Sequence, residues 1–180
     1  MEMTSVKKSI ITAMCIALCV VLPQAFHAIP NGGTVYSPLH IPVLLCGLIC
    51  GGTYGLLCGI AGVLLSALLT GMPPAAVMPP MLVECAVYGG IAGLLMKVIR
   101  TGNVYADLFI SLVGAMIMGR AAAGLVRGLI FSAGSYSLTA WMTSYFVTAL
   151  PGIILHLILI PVVYFALIRA HLIPERYLRD

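Results

Sequence analysis

Charge is what this sequence has least of. Its 180 residues include nine Lys and Arg and five Asp and Glu, so 8% of the chain is charged, against roughly a quarter in soluble domains. So few charged side chains cannot coat a globule of 19.0 kDa. Hydrophobic residues make up 62% and the mean hydropathy is +1.14. The solvent for most of the surface is therefore lipid, which excludes a soluble enzyme, a disordered chain and a secreted disulfide scaffold. Other absences narrow the field further. The chain has no phosphate-cradling GxxxxGK[ST], no HExxH and no GxSxG, so the commonest routes to nucleotide hydrolysis, zinc proteolysis and serine hydrolysis are closed. No acidic pair stands at metal-binding spacing in the apolar runs, and no basic patch suits nucleic acid.

What is present is a series of long apolar runs. A membrane helix needs about 20 mostly apolar residues, and one span per ~30 residues with short connections gives roughly six. A transmembrane barrel would show alternation over ~10 residues, whereas Ile153 to Ala170 is apolar on every face. The expected fold is thus an all-α integral membrane protein forming one domain over 1–180. Its spans are expected near 8–26, 38–52, 54–71, 78–99, 105–131 and 142–169. The first run follows Lys7 and Lys8 as a signal peptide would, but the chain stays hydrophobic beyond it, so it reads as the first span. Pro30, Gly32, Gly33 and Pro38 break the chain after span one, Gly51 and Gly52 after span two, and Pro73, Pro74, Pro79 and Pro80 after span three.

Positive charge sets the expected orientation. Lys7 and Lys8 precede the first span, Lys97 and Arg100 separate the fourth from the fifth, and Arg169, Arg176 and Arg179 follow the sixth. With six spans these places fall on one side, while 27–37, 72–77 and 132–141 hold no Lys or Arg. Both termini are accordingly expected in the cytoplasm.

The cysteines Cys15, Cys19, Cys46, Cys50, Cys58 and Cys85 all lie in apolar runs, where free thiols behave as small hydrophobes. Two pairs sit one helical turn apart without a neighbouring His or carboxylate, so no metal is expected. The glycines of the second to fifth spans let helices approach closely, and some of those faces can receive a partner protein. Charges inside a bilayer need a reason, and three stand out: Glu84 in the fourth span, and Arg120 and Arg127 two turns apart in the fifth. Glu84 and Arg127 are expected at comparable depth, with Tyr88 on the face of Glu84. Either an ion pair neutralises Glu84 and locks the helices, or the arginines bind a carboxylate or phosphate in an outward cavity. The uncharged first connection, with Gln24, His27, Asn31, Tyr36 and His40, reads as a lid or as an ordinary surface loop. His156 reads as a hydrogen-bonded core residue, and Trp141, Tyr136 and Tyr145 as an interfacial aromatic belt.

Six short helices, an uncharged lid-like loop and small residues on the first helix resemble the S component of an energy-coupling factor (ECF) transporter. Ala13-Met14-Cys15-Ile16-Ala17 matches that family's AxxxA docking motif, and 38–44, Met72-Pro73-Pro74 and Gly119-Arg120 are similar to its members. The resemblance implies a substrate-capture subunit for a vitamin or related micronutrient in the bacterial cell membrane. Its ligand would be held by His27, Asn31, Tyr36, His40, Glu84, Tyr88, Arg120, Arg127 and Trp141, with no catalytic residue. Ala13 and Ala17 would dock on a separate transmembrane scaffold protein, and two ABC ATPases on other chains would use ATP, this chain carrying no cofactor. The arginines favour an anionic or carbonyl-rich ligand, with pantothenate or a folate-like compound as examples. The alternatives are a self-sufficient small transporter or channel, which would show a polar stripe or an internal repeat, and a small membrane enzyme using Glu84 and a histidine.

Overall fold

A computed structural model describes residues 3–26, 32–131 and 137–177, and among these every regular element is helical. The long helices are α1 (Ser5–Ala25), α4 (Gly52–Thr70), α5 (Met78–Val98), α6 (Val104–Val126) and α8 (Leu150–Arg169). A short α2 (Gly32–Tyr36) precedes the 11-residue α3 (His40–Cys50), and a short α7 (Leu138–Met142) precedes α8. Five helices are long and apolar enough to cross a membrane, the one containing α6 continuing to Leu129.

The expected second span is where the structure differs most. At 1.5 Å per residue α3 is ~16 Å long, about half of a bilayer core of roughly 30 Å. Every residue of α3 except Ile49 is buried, so its neighbours are other helices rather than lipid. It packs against α1, α4, α5, α6 and α8 and forms the axis of the bundle. The expected sixth span, 142–169, is also interrupted. After α7 the chain takes a wider turn over Thr143–Val147, with Thr148 N–H donating to Thr143 O at 2.8 Å, and only then starts α8. Pro151 stands in the first turn of α8, where its missing N–H costs nothing. A similar wide turn, Arg127–Phe131, ends α6.

Cross-helix contacts give the relative directions. Cys50 Sγ approaches Lys8 O while Cys19 Sγ approaches Leu39 O, so α1 and α3 run antiparallel. Gly62 faces Cys19, aligning α4 with α1. Tyr88 of α5 meets Arg120 of α6, and Tyr105 near the start of α6 stacks on Phe165 near the end of α8. The chain therefore crosses back and forth, and the start of α1 shares a face with the ends of α5 and α8, which carry Lys97 and Arg169.

Glycine makes the centre possible. A Cβ at Gly47 or Gly55 would overlap the carbonyl oxygen of Gly89, and one at Gly93 would overlap the backbone of Gly51 and Gly52. Thus α3, α4 and α5 touch backbone to backbone, the close approach on which helix association in lipid depends. Gly51, at φ 99°, makes the reversal between α3 and α4, a conformation L side chains rarely adopt. Beside this seam all six cysteines are free and buried. The Cys46 thiol lies 3.5 Å from Thr12 Oγ1, and those of Cys19 and Cys50 approach carbonyls across α1 and α3, so these thiols fill the α1–α3 interface.

At the terminal face, the chain beyond α8 folds back on the α5–α6 connection. Asp107, with no exposed surface, accepts from Thr101 N–H at 2.9 Å, from the Thr101 hydroxyl at 2.7 Å and from the Tyr177 hydroxyl at 2.6 Å. Its Oδ2 lies 2.8 Å from Arg176 Nε, and Arg176 also donates to Ile99 O.

Candidate functional site

At the opposite face the helix ends do not close among the described residues. A cavity of about 510 Å³ opens between the end of α1 (Pro23, Phe26), the α2–α3 turn (Ser37 to His40), the α4–α5 connection (Met72 to Pro74), the start of α5 (Met81, Glu84), α6 (Arg120, Arg127) and the segment before α8 (Ser144, Tyr145). Its wall is mainly apolar, with prolines, methionines, Leu39 and Phe26 prominent, which suits a small organic ligand fixed by a few polar groups. Prolines explain why the wall is irregular: Pro73, Pro74 and Pro80 prevent α4 and α5 from joining in a short turn.

The polar floor is a chain of hydrogen bonds. The Tyr88 hydroxyl donates to Glu84 Oε1 at 2.8 Å and accepts from Arg120 Nε at 2.9 Å. Arg120 also donates through Nη1 to Tyr145 O, and its guanidinium carbon lies 5.7 Å from the Phe146 ring centre. These groups are buried: Glu84 is 7% exposed and Arg120 2%. Burial of a carboxylate and a guanidinium is tolerable only because each is paired and hydrogen-bonded. Gly119 brings the helices this close, since a Cβ there would strike the Tyr88 ring.

The expectation of comparable depth for Glu84 and Arg127 left open which arginine would neutralise Glu84. Arg120 is coupled to Glu84, and the coupling runs through Tyr88. Arg127 is exposed and lines the cavity two helical turns further along, at the end of α6. The spacing of seven residues put both arginines on one face, but not which of them α5 would meet.

His40 also lines the cavity, packed edge-on against the Tyr88 ring with centroids 4.9 Å apart. Of the other expected ligand-binding residues, Tyr36 packs its ring at a tilt against Phe26, centroids 5.6 Å apart, beside the cavity. Trp141 lies elsewhere: its ring covers Gly124 and its Nε1 donates to Arg120 O at 3.2 Å, so it braces the backbone that carries Arg120. His27 and Asn31 lie outside the described residues, as does Tyr136. Phe26, Ser66, Met81 and Ser144 line the cavity without having been singled out. Ser66 carried a faint signal, as a hydroxyl in an apolar helix; its Oγ donates to Met72 O at 2.8 Å and ties down the proline-rich connection. Tyr145, read as an aromatic-belt residue, contributes to the cavity and supplies a carbonyl to Arg120.

A bundle of apolar helices with an open polar-floored cavity at one end suits a membrane protein that holds a small molecule. The family model for the ECF transporter substrate-specific component matches residues 7–164. The chain belongs to that family. No curated protein and no solved structure matches it. As an ECF substrate-specific component it is a multi-pass membrane protein and the substrate-binding subunit of an ECF importer; such components are transporter subunits, not enzymes. The ECF component's α1 carries the Ala13/Ala17 pair on its exposed side, in a ridge with Ile10, Met14 and Leu18, while Thr12, Cys15 and Cys19 face the bundle.

Proposed function

We propose that this ECF component captures an anionic or carbonyl-rich micronutrient, such as a pantothenate-like or folate-like compound, in the cavity opposite its termini. The ligand then passes to a transmembrane scaffold protein energised by two ABC ATPases on other chains. The observation that carries the reading is the convergence of Arg120, Arg127, Glu84 and His40 on one cavity whose remaining wall is apolar. Arg127 is placed to meet an anionic group at the rim, and Arg120 is held by Tyr88 and Tyr145 so that its position is fixed before ligand arrives. Tyr36 and Trp141 support the cavity from beside and behind. Both termini face the cytoplasm of a bacterial cell, in keeping with Lys97, Arg100 and Arg169 at the terminal face. The whole chain acts as one domain, binds no cofactor of its own, and docks through Ala13 and Ala17.

The test is ligand retention by the purified protein, followed by mass spectrometry of the released molecule. Arg127→Gln is expected to weaken retention by about 10–100-fold, the cost of one charge-assisted hydrogen-bond pair. Retention equal to the unsubstituted protein for both Arg120→Gln and Arg127→Gln would refute the site. Solute movement by the protein reconstituted alone would refute the dependence on partners.

A further inference from the structure

His40 is the cavity residue whose polar atoms have no work within the protein. It is 4% exposed, and neither Nδ1 nor Nε2 has a hydrogen-bond partner among the described residues. Its ring is positioned by contacts that use no nitrogen, edge-on to Tyr88 at 4.9 Å and 6.0 Å from the His156 ring. Its two ring neighbours do not bond to it. The Tyr88 hydroxyl already donates to Glu84 and accepts from Arg120. His156, fully buried, places Nε2 3.3 Å from Ser37 O and leaves its own Nδ1 without a partner. Unpaired buried nitrogens destabilise a protein, and a native structure retains them where something else completes them. Beside His40 opens the cavity that it lines together with Glu84.

Resting on the capture reading above, we propose that His40 and Glu84 form an inner subsite that accepts an N–H or O–H donor from the ligand. The captured molecule is therefore amphoteric in its hydrogen bonding. Its anionic group meets Arg127 at the rim, and a ring or amide bearing a donor reaches His40 at the floor. A plain carboxylic acid with an apolar body would leave the imidazole unpaired and bind poorly. His40 in this role determines specificity, because rejecting a molecule that lacks the donor follows from the unpaired group left behind.

The experiment uses ligand-stripped full-length protein, incubated with the small-molecule fraction of yeast extract, repurified, and analysed for retained compounds. Unsubstituted protein, His40→Leu and His40→Gln are compared, together with their thermal midpoints when empty. The expected result is a retained compound carrying both an anion and an N–H or O–H donor. Its retention should fall about 10–100-fold in His40→Leu and recover in part in His40→Gln. The empty His40→Leu protein should melt no lower than the original, because unpaired nitrogens have been removed. Equal retention by His40→Leu, or a retained compound without a donor, overturns the proposal and leaves the capture reading standing. A lower midpoint for empty His40→Leu makes His40 a packing residue and also overturns it. If the unsubstituted protein retains nothing, the capture reading fails and this proposal with it.

Discussion

Replacing Tyr88 with Phe removes a single oxygen from the middle of the membrane charges. The ring stays, still packed against Gly119 and His40, so the change isolates two hydrogen bonds, one to Glu84 at 2.8 Å and one from Arg120 at 2.9 Å. The bond from Arg120 crosses helices while Glu84 shares α5 with Tyr88. Interhelical side-chain bonds in membrane proteins average about 0.6 kcal/mol and reach about 1.7, and the same scale applied to both bonds brackets the loss between about 1 and 3.5 kcal/mol. Both partners are charged and nearly inaccessible, so the upper half of that range is expected. The assay is unfolding of purified protein in detergent for Tyr88→Phe, Glu84→Gln and the double variant. If Tyr88 links the charges, the double variant loses less than the sum of the singles, by at least about 0.5 kcal/mol. Additivity within about 0.3 kcal/mol, or a Tyr88→Phe protein as stable as the original, would refute the account of how Glu84 and Arg120 are accommodated.

Gly89→Leu should abolish folding or surface expression, since even a Cβ overlaps the backbone of Gly55, whereas Gly90→Leu, whose nearest neighbour is the Leu56 side chain at 3.7 Å, should be tolerated; comparable expression of both would contradict the seam. Asp107→Asn should free the tail bearing Arg176 and Tyr177, at a cost of about 2–3 kcal/mol, discounted because the Arg176 side chain is 16% exposed. Faster proteolytic trimming of the C-terminus is the readout, and an unchanged trimming rate argues against the latch. Ala13→Trp or Ala17→Trp should block uptake in cells while ligand retention by the purified protein stays within twofold or so, because both positions are exposed; joint loss of uptake and retention would place α1's outer face in the ligand site instead.

Much of the fold was legible because lipid imposes one dominant rule, that spans be long and apolar. The runs that became α1, α4, α5 and α6 announced themselves within a few residues of their ends. The second was legible as an apolar run but not as a half-length helix. Its composition is the same whether it faces lipid or protein, and only packing reveals that α3 is enclosed. The wide turn at Thr143–Val147 left no mark either, because Thr, Ser, Tyr, Phe and Val form ordinary helices as readily. In the candidate site, Glu84, Tyr88 and Arg120 were conspicuous as polar groups in an apolar setting, and they do meet. Their order along the chain could not say that α6 would bring Arg120 against Tyr88 of α5, since that depends on how far the helices slide past each other. The apolar lining, Phe26 and Met81 among it, is indistinguishable in sequence from core.

The half-length α3 also bears on how the chain is made. A segment of 11 residues is too short for a translocon to release stably into the bilayer alone, where about 20 are needed. α1, made before it, covers one side through contacts such as Thr12 with Cys46, but the surfaces that shelter the other side on α4 and α5 are synthesised later, when Gly55 and Gly89 come against Gly47. Biogenesis therefore cannot proceed by independent insertion in chain order: the second segment has to wait, shielded, until the following hairpin arrives to enclose it.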